Sequence, residues 1–87
     1  MFDLKIISKD RRLFEDSVEH VQVEGIDSDF EILSFHADVA GLLKRGRIIV
    51  DGKFQIRVRG GLVSFHNNRC VIIVDEDTKR SGAKKSA

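Results

Sequence analysis

Residues 48–58, Ile48-Ile49-Val50-Asp51-Gly52-Lys53-Phe54-Gln55-Ile56-Arg57-Val58, decide the fold class. Asp51-Gly52 is a dipeptide preferred in two-residue type I′ turns, because both residues accept positive φ, and apolar runs flank it. In the second arm Phe54, Ile56 and Val58 alternate with Lys53, Gln55, Arg57 and Arg59. That is the period of a strand with its aromatic and aliphatic side chains turned inward. Downstream, Leu62–Phe65 and Cys70–Val74 flank Asn67-Asn68, a second pair that tolerates positive φ. The run Cys70-Val71-Ile72-Ile73-Val74 lacks alternation, which predicts a strand covered on both faces. Upstream, Leu4–Ile7 is a short strand closed by a charged turn, Lys9–Arg12. Val21 and Val23 alternate with polar neighbours up to Gly25, and Phe30–Leu33 and Val39–Leu43 are further extended pieces. No segment supports a long amphipathic helix. The spacing predicts an all-β fold: an antiparallel β-sandwich or flattened barrel of about 8–10 short strands. Pro is absent, so edge protection falls to charges such as Lys53, Arg57 and Arg59.

At 87 residues the chain makes one domain, with a core that is aliphatic because Phe numbers six and Trp and Tyr are absent. Fifteen basic and 14 acidic residues nearly balance, which gives no case for a dedicated nucleic-acid binder. The sign is uneven, however. Lys79, Arg80, Lys84 and Lys85 leave the rest of the chain at −3 against +1 overall. Residues 1–77 therefore read as the domain and 78–87 as a disordered basic tail. A single cysteine excludes an internal disulfide and fits a reducing compartment. No apolar run approaches the roughly 18 residues of a spanning helix, and Met1 opens straight into a strand-like segment, so a soluble chain is expected.

A second stretch, Ser28–Asp38 (SDFEILSFHAD), precedes Gly60-Gly61-Leu62. It resembles the signature of the epsilon subunit of F-type ATP synthases, in which Gly-Glu-Phe-Gly-Ile-Leu-Pro-Gly-His-Ala-Pro precedes Gly-Gly-Phe. The resemblance covers approximately residues 2–77. Phe2–Ser8 is similar to the family's first strand and Leu13-Phe14 to the step after it. Val18–Val23, Leu43–Gly46, Gly60–Val63, and Asn68 with Val71–Val74 follow in the family's order. Ser28, Glu31, Ser34, Phe35 and Asp38 stand where the pattern has Gly, Gly, Pro, Gly and Pro, which alters the conformation expected of this loop. The chain also stops where a C-terminal helical hairpin would begin, so the ATP-responsive brake of longer members is not expected here.

The resemblance implies a non-catalytic central-stalk subunit that couples c-ring rotation, through gamma, to ATP synthesis. It implies no cofactor and no metal. It makes gamma and the c-ring the partners, with no nucleic acid, no homo-oligomer, and membrane contact only through the complex. The place implied is the cytoplasmic face of the bacterial inner membrane. Candidate interface residues on the matched segment are Asp29, Phe30, Glu31, Phe35, His36 and Asp38, with Phe35 as an aromatic anchor.

Each chemical motif has a plainer reading. His36 has no serine, cysteine or carboxylate placed by a motif to act with it, so no catalytic residue is expected. His20, His36, His66 and Cys70 lack metal-ligand spacing. Cys70 reads as a small buried hydrophobe. Gly60-Gly61 lacks the phosphate-loop pattern and reads as a bend between strands or a close backbone approach. Lys44, Arg45, Arg47, Lys53, Arg57 and Arg59 could form a basic face that recruits RNA or an acidic protein, the alternative to the rotor reading. With Phe54 turned inward, that face lacks a stacking aromatic and reads as solvated.

Overall fold

The Asp51-Gly52 turn forms as its composition predicts. Asp51 sits at φ 52° and Gly52 at 68°, and Lys53 N–H donates to the Val50 carbonyl at 2.9 Å. The computed structural model describes residues 1–77, and the tail expected over 78–87 lies outside them. Eight strands are present: β1 (Phe2–Ile7), β2 (Arg12–Val18), β3 (His20–Glu24), β4 (Asp29–Leu33), β5 (Val39–Leu43), β6 (Gly46–Val50), β7 (Phe54–His66) and β8 (Arg69–Glu76). The Asn67-Asn68 turn also forms, at φ 51° and 58°, and closes on the pair His66↔Arg69. No helix occurs among the described residues, so the all-β, sandwich-like class is as the sequence predicts.

The strand order is β2-β1-β8-β7-β6-β3-β4, with β5 also on β7. The N-terminal half of β7 pairs with β6 and its C-terminal half with β5, while β8 runs along the other edge. One strand thus serves both arms of the sheet, and the inner faces of the arms close on a single core. Phe2, Leu4, Ile6, Val18, Val21, Val23, Ile32, Leu43, Ile48, Val50, Val58, Val63, Phe65, Cys70, Ile72 and Val74 fill it. No polar residue is buried as a whole among the described residues, although the His20 Nδ1 atom is shielded without an aligned partner. One ladder, β1 with β8, is parallel.

Several expectations give way. Gly60-Gly61 does not separate two strands: β7 runs through it with a bulge between Val58 and Gly60. The alternative reading of that pair, close packing, holds. A Cβ on Gly61 would lie 2.6 Å from the Ile73 carbonyl oxygen and 3.3 Å from Val74 Cα. Phe54 is not buried; it is 41% exposed and packs on Phe14 at a ring separation of 5.1 Å. The first position of a strand lies at the rim of the core, where alternation sets direction but not depth. β2 falls largely on residues the sequence hides, because Arg12, Glu15, Asp16 and Ser17 of an outer strand need show no apolar face. β2, β4 and β5 each pair with one strand only; Arg12, Glu15, Asp16, Asp29 and Glu31 guard the first two, whereas Arg57 and Arg59 lie on the central β7. Finally, β8 is covered on one face only: Cys70, Ile72 and Val74 are buried, but Val71 and Ile73 remain exposed.

Candidate functional site

The six candidate residues do not form one cluster. Asp29 opens β4 and pairs with Glu24, and its carboxylate is 4.0 Å from Lys44 Nζ. Four strand steps of about 3.3 Å separate it from Leu33, beyond which the loop carrying Phe35 begins. Phe30 turns inward and packs half-buried against the core, so it offers a partner little surface. Glu31 is exposed, with Oε2 2.8 Å from His20 Nδ1 in a close approach that is not an aligned hydrogen bond.

Phe35, His36 and Asp38 do come together. Phe35 sits at φ 60° and is 84% exposed. Positive φ is unfavourable for a residue with a Cβ, and the family signature has Gly here. Two bonds hold the loop: His36 N–H donates to the Leu33 carbonyl at 3.1 Å, and Phe35 N–H donates to Asn68 Oδ1 at 2.7 Å. The His36 ring stands edge-on to Phe65 at 5.9 Å, and Phe65 in turn meets Phe2 edge-on at 5.5 Å, so the loop is anchored to the core through aromatic contacts. Asp38 Oδ2 lies 2.7 Å from His66 Nδ1. Both side chains are about two-thirds exposed, where such pairs contribute on the order of 0–1 kcal/mol. The site is thus a stiff loop end presenting an aromatic ring. It has no enclosed reaction space.

Two features escaped the sequence reading. The first is Asn68, whose side chain reaches both Phe35 and the Met1 carbonyl. Its signal was visible only as a turn residue. The second is an apolar row across the outer face of the sheet. Leu42 pairs with Leu62, Leu62 with Ile73, and Ile73 with Ile7. Leu42, Leu62 and Ile73 are 59%, 43% and 47% exposed. The unbroken apolar run in β8 was the available clue, since it asks for cover on a face that this chain leaves open.

The alternative basic face is partly neutralised, three carboxylates approaching four of its six cations. Lys44 approaches Asp29, Arg47 approaches Glu24, and Arg45 and Arg59 both approach Asp77. Phe54 is exposed and packs on Phe14, but it alternates with Arg57 along β7 and so faces away from that charge. No group of His, Cys, Asp and Glu able to hold a metal occurs among the described residues. Burial pushes the Cys70 thiol up to about 12, so it is protonated and unreactive at neutral pH.

Comparison with known proteins bears on the whole described domain. A family model described as the ATP synthase delta/epsilon chain β-sandwich domain matches residues 1–79. An ATP synthase epsilon chain of Rhodospirillum rubrum is 35% identical over 78 residues, covering 85% of this chain and 58% of the relative. One of Protochlamydia amoebophila is 29% identical over 79 residues, covering 86% and 54%. The chain therefore spans little more than half the length of these relatives. Among solved structures, a chain of the Tetrahymena thermophila mitochondrial ATP synthase central stalk and c-ring superposes with a TM-score of 0.75 at 14% identity, covering 85% of this chain and 63% of that one, a likeness of fold. With the strand pattern, the 28–38 segment and the family match in agreement, this chain belongs to the ATP synthase epsilon-chain family and carries its β-sandwich domain.

Proposed function

We propose that this chain is a non-catalytic rotor subunit of an F-type ATP synthase, coupling c-ring rotation through gamma to the catalytic sector. Its place on this reading is peripheral, at the cytoplasmic face of a bacterial inner membrane, held there by the complex. Transmitting torque requires a body that does not deform and contacts that do not slip. A sheet whose two arms share β7 and one dry core supplies the first. The observation that carries the reading is the family match over residues 1–79, joined to two exposed surfaces that a free domain has no use for.

On this reading the Leu42–Leu62–Ile73–Ile7 row packs against gamma, and the Phe35 loop meets the c-ring end of the stalk. The row explains why β8 is apolar on both faces: the cover that the single chain lacks comes from a partner. Broad contacts of this kind bury on the order of 1,200 Å² or more in total. The test is co-purification with gamma and the c-ring from detergent-solubilised membranes. Ile73→Lys and Phe35→Ala are each expected to reduce recovery of the chain in the complex while shifting its own melting temperature by only a few degrees. Full recovery of both variants removes the reading, and a steeply salt-dependent affinity for RNA would favour the basic-face alternative instead.

A further inference from the structure

β8 closes on Glu76, Asp77 follows it, and their side chains are only 18% and 14% exposed. Carboxylates at the end of a strand ordinarily face water, so this cover needs a cause. Three arginines remote in sequence supply it. Arg11, from the β1–β2 turn, grips Glu76 with two nitrogens: Nη2 donates to Oε2 at 2.6 Å and Nε to Oε1 at 3.4 Å. Arg45, from the β5–β6 turn, donates from Nη1 to Asp77 Oδ2 at 3.5 Å, and Arg59 Nε lies 4.0 Å from Asp77 Oδ1. Arg59 stands at the β7 bulge, between Val58, which pairs with Glu76, and Gly60, which pairs with Asp75. A bulge leaves its extra residue without a partner opposite and re-aims the side chain. Past this break the backbone bond from Asp77 N–H to the Arg57 carbonyl is long, at 3.3 Å. The end of β8 is thus held more by charge than by its ladder.

We propose that Arg11, Arg45 and Arg59 form an ionic clasp on Glu76 and Asp77 that fixes where the chain leaves the sandwich. The clasp opens with salt while the core strands stay paired. A single ion pair at an exposed position adds little, but a forked arginine and two further cations on adjacent carboxylates restrain one another. Their attraction is screened as the Debye length falls from about 30 Å at 0.01 M salt to about 3 Å at 1 M. The apolar core does not share that dependence, because burial of aliphatic surface holds it. The clasp lies within one chain and stands whether or not the rotor reading does.

The test is native-state amide exchange of the full chain, read as protection factors at about 0.01 M and about 1 M KCl. Protection at Asp77 is expected to fall about fivefold across that range, while Val63 and Ile72 change by less than about twofold. Arg11→Gln and Arg59→Gln each remove one charge and keep a long polar side chain. Each is expected to lower Asp77 protection about twofold at low salt, and the double variant about fivefold, with most of the salt dependence gone. Salt-independent protection at Asp77 in the parent chain overturns the clasp, as does parent-like protection in the double variant. Loss of protection at Ile72 in step with Asp77 overturns its local character, since the arginines would then be holding the whole sheet.

Discussion

Phe35 is costly to the domain by its backbone conformation and, on the proposed reading, useful to an assembly. Its left-handed backbone is the conformation glycine supplies at the matched family position, and its ring lies almost wholly in solvent. Folding alone gives no reason to keep it. Phe35→Gly is therefore expected to stabilise the isolated domain by about 0.5–1 kcal/mol, raising its melting temperature by a few degrees, while weakening rotor association. Calorimetry and co-purification read the two effects separately, and a fall in melting temperature would show that the ring stabilises the fold. Asp51 is a second residue with a role its turn signature does not reveal. Its carboxylate accepts N–H bonds from Glu19 at 2.8 Å and His20 at 3.0 Å, and those bonds, the His20 one first, hold its pKa below the ordinary value. The folded protein thus binds this proton less readily than the unfolded chain. The associated stability is present above the unfolded carboxylate pKa and lost as pH falls through the folded one. Asp51→Asn keeps an acceptor and tolerates the turn but removes this component. Denaturant titrations below about pH 4 should show the variant losing less stability than the parent as pH drops.

At the scale of elements, β7 decides the architecture. A strand that changes partners from β6 to β5 along one edge must bend without ending, and the bulge at Val58/Gly60 provides that bend. Gly61 then lets β8 approach closely. Gly61→Ala would place a Cβ against the Ile73 carbonyl, a backbone atom that cannot rotate away. A destabilisation of about 1–3 kcal/mol is expected in equilibrium unfolding, against near-neutrality for Gly52→Asn at the exposed, positive-φ turn. The sequence reading broke β7 at its glycines because Gly is an ordinary punctuation mark between strands. Pair spacing alone does not distinguish a bend that ends a strand from one that redirects it. β2 was obscured for a different reason: an edge strand with polar residues on its outer side carries little periodic signal, and only Leu13, Phe14 and Val18 touch or enter the core.

For the whole molecule, one dry core serves both arms of the sheet, so the domain is expected to open as a unit. Cys70 reports on this directly. Its thiol is 1% exposed and, through burial, raised to about 12, so labelling by iodoacetamide at pH 8 should proceed only through unfolding. The labelling rate is expected to rise with denaturant in parallel with global unfolding, and rapid labelling in native buffer would reveal local opening of β8. A thiol whose folded pKa is raised contributes stability that is complete below the unfolded thiol pKa and fades as pH rises toward 12.

Alternation and turn chemistry by themselves determined the strand class, both tight turns and the inward face of β3, because those patterns depend on near neighbours in the chain. The order of the 28–38 segment and Gly60-Gly61 determined the family. Only the tertiary structure decided that β7 is continuous, that Phe54 stays at the rim, that one face of β8 is open, and that Asn68 joins Met1 to Phe35. Each of those depends on which distant strand arrives alongside, and a linear pattern carries no record of that distance.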